Sequence, residues 1–180
     1  LGEGLSQAAG MAYALKNLQP TTYKADASVG SPTVTSGPRI YCMMSDGEQE
    51  EGNTWEAVMF AAKNKLSNLT AVMDRNNIQI DGMTEDVMPL ESLKAKYEAF
   101  NWHVLEVSGH DMRAFVGAIE EAQAIYEKPT LVIAHTIPGK GVPEIEFDYH
   151  WHGKPPSKEE GKRFLNELRT LGGKIQSEHQ

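Results

Sequence analysis

Cysteine occurs once in this chain, at Cys42, so no internal disulfide can hold the fold. It lies inside the apolar run Ile40–Met44 and reads as a buried thiol in a reducing compartment, the cytoplasm by default. Cations are scarce as well: 17 Lys and Arg stand against 25 Asp and Glu, a net charge of -8. Nucleic acids and anionic lipid surfaces need clustered cations, so neither is expected as a partner. No apolar run approaches the ~20 residues that cross a bilayer, and no charged-then-apolar signal segment opens the chain, so no membrane role is expected. Aromatic residues make up 8 %, and Trp55, Trp102 and Trp151 read as core or rim packing rather than base-stacking platforms. What is present is ordinary for one globular domain: 180 residues, 40 % of them hydrophobic and 23 % charged, enough for a real core. The first residue is Leu1 rather than Met, which reads as a cut end.

The order of elements is more specific. Leu5, Ala8, Ala9, Ala12 and Leu15 recur at helical spacing and predict a helix over 4–18. Residues 20–38, with Pro20, Gly30, Pro32, Gly37 and Pro38, sustain no period and read as an exposed loop. A short continuous apolar run predicts a buried strand at Ile40–Met44, Leu69–Met73 reads as a second buried strand, and Trp102–Val107 and Thr130–Ala134 as a third and a fourth strand. Helical patterns lie between them at 54–66, 90–100 and 111–126. This alternation predicts an α/β fold, a parallel sheet with helices on both faces. Residues 139–156 read as irregular and Lys158–Leu171 as an amphipathic terminal helix, giving an α/β domain over 1–157 with a helix and tail over 158–180.

Ligands of such sheets bind beyond the carboxyl ends of the strands. Four segments fall at such ends: Ser45–Gly52, Asp74–Asp81, Ser108–Asp111 and His135–Gly153. The first carries Asp46, Glu48, Glu50 and Glu51 with no cation before Lys63. It reads either as a solvated acidic loop at a helix start or as a hard-cation site. An EF-hand needs Gly at loop position six and Glu at twelve, where counting from Asp46 gives Glu51 and Ala57. A different pairing remains: Asp46 ends one strand, and Asn76 ends the next, one strand–helix–strand unit further on. A carboxylate, an amide oxygen and a nearby main-chain carbonyl supply half of an octahedron, and Mg²⁺ commonly takes the rest from phosphate oxygens and water. Gly47 lets a backbone N–H approach that phosphate closely.

Ser45-Asp46-Gly47 followed at this distance by Asn76-Asn77 resembles the thiamine-diphosphate motif, a Gly-Asp-Gly start and an Asn end. The match lengthens through Asp46-Gly47-Glu48, Glu51-Gly52, Trp55-Glu56-Ala57, Asn68-Leu69, Asp74-Arg75-Asn76 and Ile80-Asp81-Gly82. Thr136, Gly139-Lys140-Gly141, His150-Trp151-His152-Gly153 and the opening Leu1-Gly2-Glu3-Gly4-Leu5-Ser6 continue it. Together they resemble transketolase, and within it the diphosphate-binding half of two-gene transketolases. Two positions depart from the pattern: Ser45 stands where the motif usually begins with Gly, and Glu3 replaces a common Gln.

The resemblance implies the thiamin-diphosphate-binding fold, in its diphosphate (PP-type) domain, and the cofactors thiamine diphosphate and Mg²⁺, or Ca²⁺ or Mn²⁺ in its place. It makes Asp46 and Asn76 side-chain metal ligands and Ile78 a ligand through its main-chain carbonyl. Leu1, Gly47, Glu48 and His152 would contact the cofactor, Leu1 beside the thiazolium ring and His152 at both diphosphate and sugar. Glu51 matches an acidic residue of the subunit interface in a relay linking cofactors, and with His152 is counted as catalytic. The implied reaction moves a two-carbon ketol unit from a ketose phosphate to an aldose phosphate, a pentose phosphate pathway step. Family members carry a further N-terminal segment, expected to lie outside this chain, and the activating glutamate belongs to a pyrimidine-binding domain. A pyrimidine-binding transketolase C-terminal subunit is therefore the expected partner, in an α2β2 assembly with sugar-phosphate substrates.

Rival readings are weaker. His150 and His152 could be zinc ligands, but in an extended segment they point to opposite sides. Gly2-Glu3-Gly4 has no preceding strand and Gln7 breaks a dinucleotide fingerprint. Within the cofactor class the alternatives are a deoxyxylulose-phosphate synthase or the α subunit of a 2-oxoacid dehydrogenase, and outside enzymes a diphosphate- or metal-binding remnant without turnover.

Overall fold

The computed structural model describes residues 1–18 and 38–170. The loop expected over 20–38 and the tail beyond 170 lie outside the described residues, apart from Pro38 itself. In chain order the elements are α1 (Glu3–Asn17), β1 (Ile40–Ser45), α2 (Gly52–Lys63), β2 (Leu69–Arg75), β3 (Ile78–Gln79), β4 (Gly82–Met83), α3 (Thr84–Val87), α4 (Leu93–Ala99), β5 (His103–Ser108), α5 (Met112–Ala124), β6 (Thr130–His135) and α6 (Lys158–Thr170). Single 3₁₀ turns occupy Gly47–Glu50 and Tyr149–Trp151.

The described residues group into two units. The first draws on Leu1–Arg75 and Leu90–His135, the second on Asn76–Pro89 and the chain from Thr136. The first is built on a four-stranded parallel sheet in the order β1-β2-β6-β5. Strand side chains alternate between faces. Cys42, Met44, Ala71, Met73, Leu131 and Ile133 pack with Leu5, Ala8, Ala9 and Ala12 of α1, Ala57, Val58 and Ala61 of α2, and Leu93 and Tyr97 of α4. On the opposite face Val72, Val132, Leu105 and Val107 meet Phe115, Ala118 and Ile119 of α5. The expected parallel sheet with helices on both faces is what the chain forms. Covered from both sides, β2 and β6 are the strands with five consecutive buried residues.

Boundaries differ where polar residues extend a ladder or a cap sets a helix start. The second strand runs on through Asp74 and Arg75, because both stay in register with Ala134 and His135 of β6. The helix expected over 90–100 begins at Leu93, where the Ser92 hydroxyl accepts the Ala95 N–H at 3.3 Å.

The second unit contains the β3–β4 hairpin, with Ile78 paired to Met83, too short to leave a period in the sequence. In the segment after Thr136, Gly139 has φ +73°, and a Cβ there would lie 2.7 Å from Ile145 Cγ1 and 2.8 Å from its carbonyl oxygen, so only glycine fits. Trp151 packs edge-on against Phe164 of α6 at 5.4 Å between ring centroids.

Candidate functional site

All four strands of the main sheet run parallel, so their carboxyl ends form one edge. Ser45 is level with Asp74, and His135 with both Arg75 and Ser108. The acidic turn begins there. Asp46 is 1 % exposed, its backbone N–H donates to Asp74 O at 3.2 Å, and its Oδ1 accepts the Gly47 N–H at 2.8 Å. Its Oδ2 takes a hydrogen bond from Arg75 Nη1 at 2.9 Å, an ion pair with both side chains buried.

Glu48 does not point to solvent. Its Oε2 accepts the Ser45 N–H and its Oε1 the Gly2 N–H, both at 2.9 Å. The second bond brings the start of the chain to the turn. Gly2 has φ +78°, and a Cβ on it would sit 2.8 Å from Glu51 Cβ, so this approach requires glycine. Asn53 Nδ2 donates to the Gly2 carbonyl at 2.9 Å from the first turn of α2. The Gly-Glu-Gly opening is thus a docking device for α1.

Gln49, 1 % exposed, fixes the turn from beneath. Its Nε2 donates to Ser45 O at 3.0 Å, its Oε1 accepts from the Tyr97 hydroxyl at 2.7 Å, and its carbonyl accepts from Trp55 Nε1 at 2.8 Å. Burial above all, with the Cys42 sulfur and the Glu48 carboxylate nearby, pushes the Tyr97 hydroxyl far above its ordinary range, so it stays a donor. Burial also raises the Cys42 thiol, with Glu48 adding to the effect, which leaves the buried thiol protonated and unreactive.

Of the residues singled out from sequence, Asp46, Gly47, Glu48 and Glu51 come together in this turn, and Gly2 carries Leu1 to it. Leu1 is 89 % exposed, and Glu51, at the N-cap of α2, is exposed.

Asn76, Ile78 and His152 belong to the second unit. Asn76 Oδ1 accepts the Ile78 N–H at 3.1 Å, Asn77 turns the chain at φ +66°, and the Ile78 side chain is buried. A local Asx bond of this kind shapes the backbone on which the Ile78 carbonyl is carried. His152 is exposed, its N–H donating to Tyr149 O at 2.9 Å. The neighbouring His150 is held by Asp148, whose Oδ1 accepts the His150 N–H at 3.0 Å and lies 2.7 Å from its Nδ1. The ring hydrogen bond, with the backbone one, holds the Asp148 carboxyl below the usual carboxylate range. Within the segment expected to be irregular, Tyr149–Trp151 is a 3₁₀ turn and not extended, so strand alternation does not set the two histidines apart. Among the described residues no three His, Cys, Asp or Glu side chains gather into a metal site. No helix of the described residues is long and apolar enough to cross a membrane.

Sequence reasoning gives Arg75 no role, nor Gln49 and Tyr97. The signal for Arg75 is an arginine closing a strand with an acid at the end of the neighbouring strand. Reading it needs the register of β1 on β2, which the sequence does not print.

An α/β domain whose parallel strands end in a buried carboxylate and an acidic turn has the architecture that places ligands at the strand ends. The family model described as "Transketolase, thiamine diphosphate binding domain" matches residues 1–171, and the chain belongs to this family. It is 37 % identical over 179 residues to an apulose-4-phosphate transketolase subunit of Phocaeicola vulgatus, covering 99 % of this chain and 58 % of that protein. It is likewise 37 % identical to the 6-deoxy-6-sulfo-D-fructose transketolase subunit SqwG of a Clostridium species, covering 96 % of this chain and 57 % of that protein. The crystal structure of Campylobacter jejuni transketolase superposes with a TM-score of 0.79 at 33 % identity, covering 93 % of this chain and 25 % of that one. The chain therefore spans just over half the length of these two bacterial relatives and about a quarter of the longer transketolase.

Proposed function

We propose that this chain holds the diphosphate end of thiamine diphosphate through a divalent cation, and that it acts with a second polypeptide carrying the pyrimidine-binding half. Together they transfer a two-carbon ketol unit from a ketose phosphate to an aldose phosphate. The observation that carries the reading is Asp46, a carboxylate buried at the carboxyl edge of a parallel sheet and fixed by Gly47 and Arg75. The two bacterial relatives, each named as one subunit of a transketolase, match nearly all of this chain, which supports a two-polypeptide enzyme.

The donor chemistry suits the group. The Asp46 carboxylate, the Asn76 amide oxygen and the Ile78 carbonyl are hard oxygen donors of the kind Mg²⁺ takes alongside phosphate oxygens. When bound, thiamine diphosphate supplies the carbanion and the electron sink. In this reading Gly47, having no side chain, lets the diphosphate come close to the turn, and Glu48 serves the cofactor site through the two amides it fixes. Leu1 lines the thiazolium, His152 meets diphosphate and sugar, and Glu51 faces the partner in the relay between cofactors. The cytoplasm is the compartment we assign, since the buried thiol of Cys42 calls for no oxidising environment.

The test is reconstitution. The chain is mixed with a pyrimidine-binding transketolase subunit, Mg²⁺ and thiamine diphosphate, and ketol transfer is followed from a set of ketose phosphates. Transfer is expected from the mixture and from neither chain alone. A reconstituted pair inactive on every donor contradicts the proposal.

A further inference from the structure

Arg75 closes β2, and its side chain is 3 % exposed. Its Nη1 donates to Asp46 Oδ2 at 2.9 Å, and its Nη2 to Glu91 Oε1 at 3.0 Å. Glu91 is itself braced, since its Oε2 accepts the N–H of Leu93, the first residue of α4, at 3.1 Å. That helix is seated in the core by Leu93 and Tyr97, both buried. A continuous run of contacts thus leads from the backbone of α4 through Glu91 and Arg75 to Asp46.

A guanidinium is planar, stays charged and presents its donors as a rigid fork. Gripping Oδ2 while the Gly47 amide grips Oδ1, it leaves the Asp46 carboxylate one orientation. We infer that Arg75 is a positioning residue that sets Asp46 for the cation, with Glu91 as its brace; this rests on the reading of Asp46 as a metal ligand.

The opposite role would be a resident counter-ion that competes with the metal and is displaced by it. The geometry disfavours this. Arg75 is buried, its backbone is paired with His135 of β6, and a second carboxylate holds its other nitrogen. It has no reason to leave when a cation arrives. The carboxylates of Asp46 and Glu91 held on that guanidinium offset its charge toward an arriving divalent ion.

The test measures metal affinity rather than turnover. The full chain is titrated with Mn²⁺ in the presence of thiamine diphosphate, and free Mn²⁺ is read by electron paramagnetic resonance. Arg75→Gln is expected to weaken Mn²⁺ binding by about 10- to 100-fold, the usual cost of removing a group that orients a ligand. Arg75→Lys restores the charge but not the fork, and is expected to recover part of that loss. Should Arg75→Gln fail to fold, Glu91→Gln serves instead. That side chain is 53 % exposed, and its variant is expected to show a smaller loss in the same direction.

A purely structural Arg75 would lower the melting temperature of the metal-free variants and leave the Mn²⁺ affinity of the folded protein unchanged. A competing Arg75 would make binding tighter. Either result overturns the inference while leaving Asp46 as ligand intact. Failure of the unmodified chain to bind Mn²⁺ with thiamine diphosphate overturns both.

Discussion

The turn after β1 and the segment after β6 both carry residues of the proposed site, in opposite states of preparation. In the turn, Asp46, Glu48 and Gln49 have their polar atoms committed to Arg75, Gly47, Gly2, Ser45 and Tyr97 before any ligand is present. In the later segment the backbone is fixed by Gly139 and the Tyr149–Trp151 turn, while the ring of His152 stands exposed. A group meant to anchor a charged cofactor gains from being fixed in advance, because binding then does not cost its ordering. A group that meets a substrate, and meets it only for part of a cycle, gains from access. Substitutions should therefore cost stability in the turn and function alone in the later segment.

Four substitutions sharpen that contrast. The largest effect is expected for Asp46→Ala, which strips a partner from the buried Arg75 charge while Glu91 remains. A loss of about 3 kcal/mol in urea denaturation, at the low end for a broken buried pair, should accompany loss of metal-dependent cofactor binding. Glu48→Ala leaves the Gly2 and Ser45 amides without their acceptor and should cost about 1–3 kcal/mol. Faster hydrogen exchange at those two amides, with little change in β6, would locate the damage.

Tyr97→Phe removes one neutral hydrogen bond and should cost about 1 kcal/mol near neutral pH. It also has a pH signature. The folded state holds the Tyr97 proton more tightly than the unfolded chain, whose value is the ordinary 10.0. The stability this represents is therefore present below that pH and is lost as pH rises through it towards the folded value. The Phe variant should lack this part of the alkaline loss, which denaturation between neutral and strongly alkaline pH would show. The smallest stability change belongs to His152→Ala, within about 0.5 kcal/mol as for surface sites generally. The same variant, paired with the proposed pyrimidine-binding subunit, should show most of the proposed ketol transfer lost. A His152 variant that unfolds, or an Asp46 variant as stable as the parent, would erase the distinction between the two segments.

Much of this was legible in the sequence for a physical reason. Strands buried on both faces carry no charge along their middle, so Leu69–Met73 and Thr130–Ala134 read as strands directly, though their place in the sheet order did not. The acid at Asp46 and the amide at Asn76 stood out because polar groups directly after such runs fall at strand ends. What could not be read was anything fixed by register or by contacts between distant segments. The pairing of Arg75 with Asp46 depends on β1 lying beside β2. The hold of Glu48 on Gly2 joins residues far apart in the chain, and Gln49 beneath the turn looks like any polar loop residue until Tyr97 is placed against it. The β3–β4 hairpin is too short to have a period at all.

The central claim is that Asp46 and Asn76 serve one cation at the cofactor's diphosphate. Isothermal titration of thiamine diphosphate into the chain with Mg²⁺, for Asp46→Ala, Asn76→Ala and the double variant, tests it most directly. The account predicts that each single variant abolishes the Mg²⁺-dependent part of binding and that the double variant is no worse than either. Independent, additive losses, or a single variant that binds as the parent does, would contradict it.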